Sequence, residues 1–162
     1  MIKEFIDTEC HFPLNKGNHY IYDDYFNNKP LFVNENEKWN LNILNNSEKQ
    51  VNFFQNDGCL MKQNELKKCD WLFIFENNFY FIEAKDVKMK KRSAERKDAF
   101  EKFEATIPHF INLYPSIKTM KIFVIVNFRS PKITSASNKL KEAYFDEKYN
   151  AKYKETNRLE FN

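Results

Sequence analysis

Three charged residues stand where an otherwise apolar hairpin should open. Asp70 directly precedes the run Trp71-Leu72-Phe73-Ile74-Phe75, and Glu83 and Lys85 follow the run Phe79-Tyr80-Phe81-Ile82, with Glu76-Asn77-Asn78 between the two. Both runs are aromatic and β-branched, and Asn tolerates the left-handed backbone of a tight turn, so the segment reads as a buried β-hairpin. Side chains alternate faces along a strand, which points Glu83 and Lys85 the same way. With Asn77-Asn78 as a two-residue turn, residue 76 pairs with 79, 72 with 83 and 70 with 85. Asp70 is then expected opposite Lys85, with Cα atoms about 4.5–5.5 Å apart, and diagonal to Glu83 at about 7–8 Å.

Two carboxylates at that separation can share a hard divalent cation. Mg²⁺, or Mn²⁺ in its place, needs one or two protein carboxylates when phosphate and water supply the remaining oxygens. Such an ion acidifies bound water and offsets charge on a phosphoryl group. A neighbouring ammonium can orient the water and stabilise developing charge. Asp70 and Glu83 are therefore the expected metal ligands, and Lys85 the water-positioning group, of a phosphodiester hydrolysis. Glu-x-Lys by itself carries little information, since it also occurs at Glu65/Lys67 and Glu95/Lys97. The first of these lies in a polar connection. The second lies in a charged helical stretch, where i and i+2 do not share a face. Only Glu83/Lys85 ends a buried strand with an Asp one hairpin upstream. Charges at the end of an apolar hairpin are costly unless paired or functional, so a salt-bridge cluster at a sheet rim is the competing explanation.

The flanking chain supplies elements to hold this hairpin. Ile2, Phe5 and Ile6 are spaced for one face of a short helix. Leu31–Val33, the alternating Trp39, Leu41 and Ile43 (with Asn40 and Asn42 facing away) and Val51–Phe54 read as strands, the last closed by the turn Asn56-Asp57-Gly58. Phe100, Phe103, Ile107, Phe110, Ile111 and Tyr114 fall on one face of a helix from Ser93 to Tyr114. Ser93 is its expected N-cap, and Pro108 is expected to kink or split it. Lys121–Val126 reads as a buried strand. Asn138–Lys148 reads as a helix with Leu140, Ala143 and Tyr144 on its apolar side. A helix between two buried strands suggests a crossover onto a mixed sheet. Apolar residues on both faces of the hairpin imply that it is covered on both sides.

Composition bounds the reading. With 162 residues, 42% hydrophobic, the chain suits a single domain spanning 1–162 with a Phe-rich core. Two glycines exclude a Gly-rich phosphate loop. Cys10, Cys59 and Cys69 show no C-x-x-C spacing and the three histidines are scattered, which disfavours zinc. Three unpaired thiols, no apolar leader and no apolar run of about 18 residues point to a cytoplasmic protein with no membrane span. Net charge is +3, but residues 1–81 carry 8 Lys/Arg against 12 Asp/Glu, and residues 82–162 carry 18 against 11. The basic half, with the run Lys88-Met89-Lys90-Lys91-Arg92, could face a polyanion, as could the mixed aromatic and basic Tyr149, Lys152, Tyr153 and Lys154. Both also suit solvated surface.

Cys69-Asp70-Trp71-Leu72-Phe73 followed by Phe81-Ile82-Glu83-Ala84-Lys85 resembles the active-site hairpin of the PD-(D/E)XK superfamily, which includes restriction endonucleases, junction resolvases and small bacterial nucleases. Cys69 stands where the family motif begins with Pro. The resemblance implies an α/β (α+β) fold with a restriction-endonuclease-like core: a central mixed β-sheet carrying the active-site hairpin, flanked by helices. It implies a Mg²⁺-dependent nuclease acting on nucleic acid, usually DNA, with the backbone carbonyl of Ala84 as a further metal ligand. Family members often add an acid from the first helix, here Glu4 or Glu9, and a Gln or Lys from the following helix, here Lys97 or Lys102. Asp57 reads as a turn former. Symmetric double-strand cutting would suit a homodimer or a partner subunit. The alternatives are an inactive nucleic-acid-binding domain or a protein-interaction domain on the same fold.

Overall fold

A computed structural model describes residues 2–6, 8–62, 66–86, 91–129 and 136–162. The side chains of Ile2 and Glu4 also lie outside the described residues, as does the basic stretch 88–90. The architecture is α+β, with two mixed sheets.

The larger sheet has six strands: β1 (His11–Leu14), β5 (Val51–Gln55), β6 (Trp71–Phe75), β7 (Asn78–Lys85), β8 (Lys121–Phe128) and β9 (Ala151–Glu155), adjacent in that order. The pairs β1–β5, β5–β6 and β6–β7 are antiparallel, whereas β7–β8 and β8–β9 are parallel. The smaller sheet has four strands: β2 (Gly17–Asp24), β3 (Lys29–Val33), β4 (Leu41–Asn45) and β10 (Arg158–Phe161), ordered β10-β4-β2-β3. Among the described residues the helices are α1 (Ile2–Ile6), α2 (Arg92–Leu113) and α3 (Ala136–Tyr149), with a short 3₁₀ turn at Pro115–Thr119.

Alternation along the central strands divides the core in two. Leu72, Ile74, Phe79, Phe81, Val124 and Val126 pack against Phe103, Ile107 and Phe110 of α2 and Phe145 of α3. Trp71, Phe73, Phe75, Tyr80, Ile82 and Ile125 face the other way, onto Ile21, Leu41, Ile43, Leu159 and Phe161 of the smaller sheet. The hairpin is thus covered on both faces, as its apolar runs require. The expectation that helices flank the sheet holds for one face only. The second layer is a sheet, because β10 returns from the C-terminus to pair with β4 in parallel.

Local readings depart from the sequence at several points. The hairpin turn is Glu76-Asn77, with Asn78 already paired to Phe75, and Glu76 takes the left-handed φ of 52°. β4 does not expose its asparagines. Asn40 and Asn45 are buried, Asn40 Oδ1 accepting from the backbone of Asp23 and Asn45 Nδ2 donating to the carbonyls of Leu14 and Lys49. Helix α2 begins one residue before Ser93, capped by Lys91 without a side-chain bond, and runs unbroken through Pro108. There a missing N–H costs one ladder bond, while Ile107 and Phe110 on either side stay buried. α3 turns Phe145 and Asn138 inward and leaves Leu140 76% exposed, so its apolar side is not the expected one. Cys10 and Cys59 are joined in a disulfide, which corrects the expectation of three unpaired thiols; Cys69 alone is free and buried. Among the described residues no helix is long and apolar enough to cross a membrane.

Candidate active site

The register from Phe75↔Asn78 to Trp71↔Ile82, carried one residue further, sets Asp70 opposite Glu83. Sequence reasoning placed Asp70 opposite Lys85 instead. The face is unchanged, because moving a two-residue turn by one position slides the pairing by two residues and preserves alternation. Asp70, Glu83 and Lys85 therefore share the α2 side of the sheet with Leu72 and Phe81.

Each is held by a distinct device. Both backbone N–H groups of Asn56 and Asp57 donate to the carbonyl of Asp70, at 2.8 and 3.2 Å, and the buried Asn56 Nδ2 donates to the carbonyl of Cys69 at 2.7 Å. The N–H of Cys69 donates to Thr106 Oγ1 on α2 at 2.9 Å. The Asp70 carboxylate accepts from the N–H of Ala84 at 2.8 Å, which locks it across the hairpin. Glu83 is completely buried. Its Oε1 meets Lys85 Nζ at 2.8 Å and Lys102 Nζ at 2.5 Å. Its Oε2 is buried and finds no hydrogen-bond partner among the described residues. Lys85 Nζ also contacts Asp98 at 2.7 Å and Glu95 at 3.3 Å, both on the first turns of α2.

These groups line a cleft of about 570 Å³, together with Asp23 of β2 and Asp57 of the Asn56–Cys59 turn. Its electrostatics are those of crowded carboxylates. Burial, reinforced by Asp70, pushes Glu83 up to about 8 against the pull of Lys102 and Lys85. Burial lifts Asp70 to about 6, with Lys102 opposing and Asp23 adding to the rise. Asp23 is likewise raised to about 6 by burial and by Glu83. Burial works against the Lys102 ammonium, but Glu83 and Asp70 outweigh it and hold its pKa above the ordinary value.

Of the residues singled out in the sequence, Asp70, Glu83, Ala84 and Lys85 come together. Lys102 joins them, whereas Lys97 is exposed. Glu9 is solvent-facing, 4.0 Å from Lys62, and the side chain of Glu4 lies outside the described residues. Four further acids that sequence reasoning did not place there line the cleft: Asp23, Asp57, Asp86 and Glu95. Asp57 was set aside as a turn former, and it does shape the turn at Gly58 (φ +72°), yet it also lines the cleft and lies 3.4 Å from Lys68. Asp23 belongs to a strand of the second sheet, and nothing local in the sequence signals its approach.

Among the described residues no group of three His, Cys, Asp or Glu side chains could hold a metal ion by itself. Mg²⁺ does not need one, because two carboxylates suffice when water and phosphate fill the other positions. The unpartnered Glu83 Oε2 and the mutual repulsion of Asp70 and Glu83 fit a cation there. Comparison with family models, curated proteins and solved structures finds no match for the chain.

Proposed function

We propose that this chain is a Mg²⁺-dependent nuclease of the PD-(D/E)XK type, cutting nucleic acid at the Asp70–Glu83 cleft. One observation carries the reading: two carboxylates oppose each other across a hairpin, one with a buried oxygen that has no donor among the described residues, beside the ammonium of Lys85. The connectivity agrees with it. Three antiparallel strands (β5, β6, β7), a helix (α2) and a strand parallel to the last (β8) follow one another in the order expected of such a core, which supports the reading.

Asp70 and Glu83 would hold the ion, with Ala84 beside them. The bound metal would supply an acidified water and charge compensation at phosphorus. Asp70 is oriented for this by the Ala84 N–H. Lys85 Nζ is held among Glu83, Asp98 and Glu95, and would orient the attacking water with the proton it now directs at Glu83. Lys102 donates to Glu83 Oε1 and would shift toward phosphate as negative charge builds.

A second reading has its own support. Lys85 Nζ meets three carboxylates and its side chain is 9% exposed, as in a structural ion-pair cluster. The two readings part in a simple assay. Purified protein is incubated with plasmid and single-stranded DNA in Mg²⁺, Mn²⁺ or EDTA, beside Asp70→Ala and Lys85→Ala. A nuclease gives metal-dependent cleavage that falls at least about 100-fold in both variants while the fold survives, as expected when a charge-stabilising group is removed. Cleavage unchanged in both variants, or absent from the unaltered protein with every metal, rejects the proposal.

A further inference from the structure

Two highly exposed rings stand on the hairpin tip beside the cleft, and one of them, Tyr25, lines it. Among the described large hydrophobic residues, Phe26 (95%) and Tyr25 (84%) are the most exposed. They form the tip of the β2–β3 hairpin, with ring centroids 6.2 Å apart at 76°. Their exposure is not that of a loose loop. Asp24 anchors the tip by accepting from the backbone and side-chain amides of Asn27, at 3.3 and 2.5 Å. Gln55 Nε2 donates to the carbonyl of Asn28 at 2.5 Å, and Asn28 closes the turn with a φ of 48°. The Asn28 side chain lies against Gly58, close enough that a Cβ there would fall 2.2 Å from its Nδ2. Two rings are thus displayed on a braced turn, and Tyr25 and Asn28 line the same cleft as Asp70 and Glu83.

We infer that Tyr25 and Phe26 form a stacking clamp for unpaired bases, so that the cleft takes single-stranded or locally unpaired nucleic acid. This rests on the nuclease reading of the cleft and names its substrate class. An aromatic ring held in place stacks on any base with little ordering cost, because every base presents a flat face. A regular duplex hides those faces between its own neighbours, whereas a single strand, bulge or flap offers them. The surroundings suit a strand better than a protein. Two rings flanked by Asp24, Asn27, Asn28 and Lys29 fall far short of the roughly 800 Å² per partner of a stable protein interface.

The test uses 2-aminopurine oligonucleotides, single-stranded and fully paired, with Ca²⁺ as a non-hydrolysing ion. The unaltered protein is compared with Tyr25→Ala, Phe26→Ala, the double variant and Phe26→Trp, each checked for an unchanged melting temperature. Base quenching and affinity for the single strand should fall about 5-fold or more per ring removed, and Phe26→Trp should retain them. Duplex binding should be insensitive to all four. Equal single-strand binding by the double variant overturns the clamp, and the nuclease then stands or falls on Mg²⁺-dependent cleavage lost in Asp70→Ala. Ring-dependent base binding without cleavage keeps the clamp and removes the nuclease. A double variant that loses self-association in sedimentation, or binding to anionic vesicles, while holding bases normally overturns the clamp in favour of a protein or lipid partner.

Discussion

Glu83 is fully buried, two ammoniums share one of its oxygens, and Asp70 faces it across the hairpin. Burial and the Asp70 charge outweigh the two ammoniums, so its carboxyl holds a proton to about 8, against an ordinary 4.5. The folded protein therefore binds a proton that the unfolded chain has released. The stability this contributes is complete below about 4.5 and is lost as pH rises through about 8. Asp70 and Asp23, raised to about 6, act in the same direction at lower pH. Within its window each group can contribute a slope of up to about 1.4 kcal/mol per pH unit. The metal-free protein should lose melting temperature between about pH 5 and 8, and Glu83→Gln should flatten that fall. Mg²⁺ should restore stability most at the upper end, where the carboxylates are ionised and crowded, and EDTA should remove the gain. Calorimetric scans across this range check it. A melting temperature rising with pH in EDTA, or a Glu83→Gln curve parallel to the original, would count against the electrostatic picture.

The hairpin shows what was legible at the scale of elements. Aromatic and β-branched runs on either side of a polar turn announced β6 and β7, and alternation placed Glu83 and Lys85 on one face. The exact turn was not legible, because Glu76 rather than Asn78 adopts the left-handed conformation, held where Lys49 can reach its carboxylate at 2.5 Å. The shared face survived that error since any two-residue turn moves the register by an even number. Helix α2 was legible from its phenylalanine spacing, but its grip on the site was not. That grip runs through Thr106, whose Oγ1 accepts from the Cys69 N–H while donating to the Lys102 carbonyl at 2.8 Å. One hydroxyl thus fixes the residue before Asp70 to the helix that presents Lys102. Thr106→Val keeps the shape and leaves the buried Cys69 N–H without an acceptor, at a cost of about 1–3 kcal/mol. Urea unfolding should show that loss with an unchanged slope, and cleavage should fall more than stability predicts at a temperature where the variant remains folded. Stability unchanged within error would mean the Cys69 N–H finds another acceptor.

At the scale of the whole molecule, the sequence concealed what brings distant segments together. The excess of acids in residues 1–81 looked like a property of one half of the chain. In the structure Asp23, Asp57 and Asp70 from that half meet Glu83, Lys85 and Lys102 from the other in one cleft. The second sheet was hidden because its strands come from both ends: Arg158–Phe161 pairs with Asn42–Asn45 across more than a hundred residues, and no local pattern encodes such a pairing. The cysteines were hidden for a related reason, since spacing alone cannot say which thiols meet. Cys10 and Cys59, 49 residues apart, tie the segment before β1 to the turn that carries Asp57 and Gly58. Closing a loop of that size removes unfolded-state entropy worth about 4 kcal/mol in the chain-entropy model, and native disulfides commonly contribute about 2–5 kcal/mol. Dithiothreitol should therefore lower the melting temperature by several degrees, Cys10→Ser should lower it equally, and the reductant should have no further effect on that variant. Because Asn56 and Asp57 also hold the Asp70 carbonyl, loosening this turn should weaken Mg²⁺ binding as well as the fold. Titration of the reduced protein with Mg²⁺, followed by its thermal shift, would show the coupling as a smaller shift at each concentration. An undiminished shift would leave the disulfide a brace for the β1 end of the sheet alone, with the cleft organised independently by the hairpin and α2.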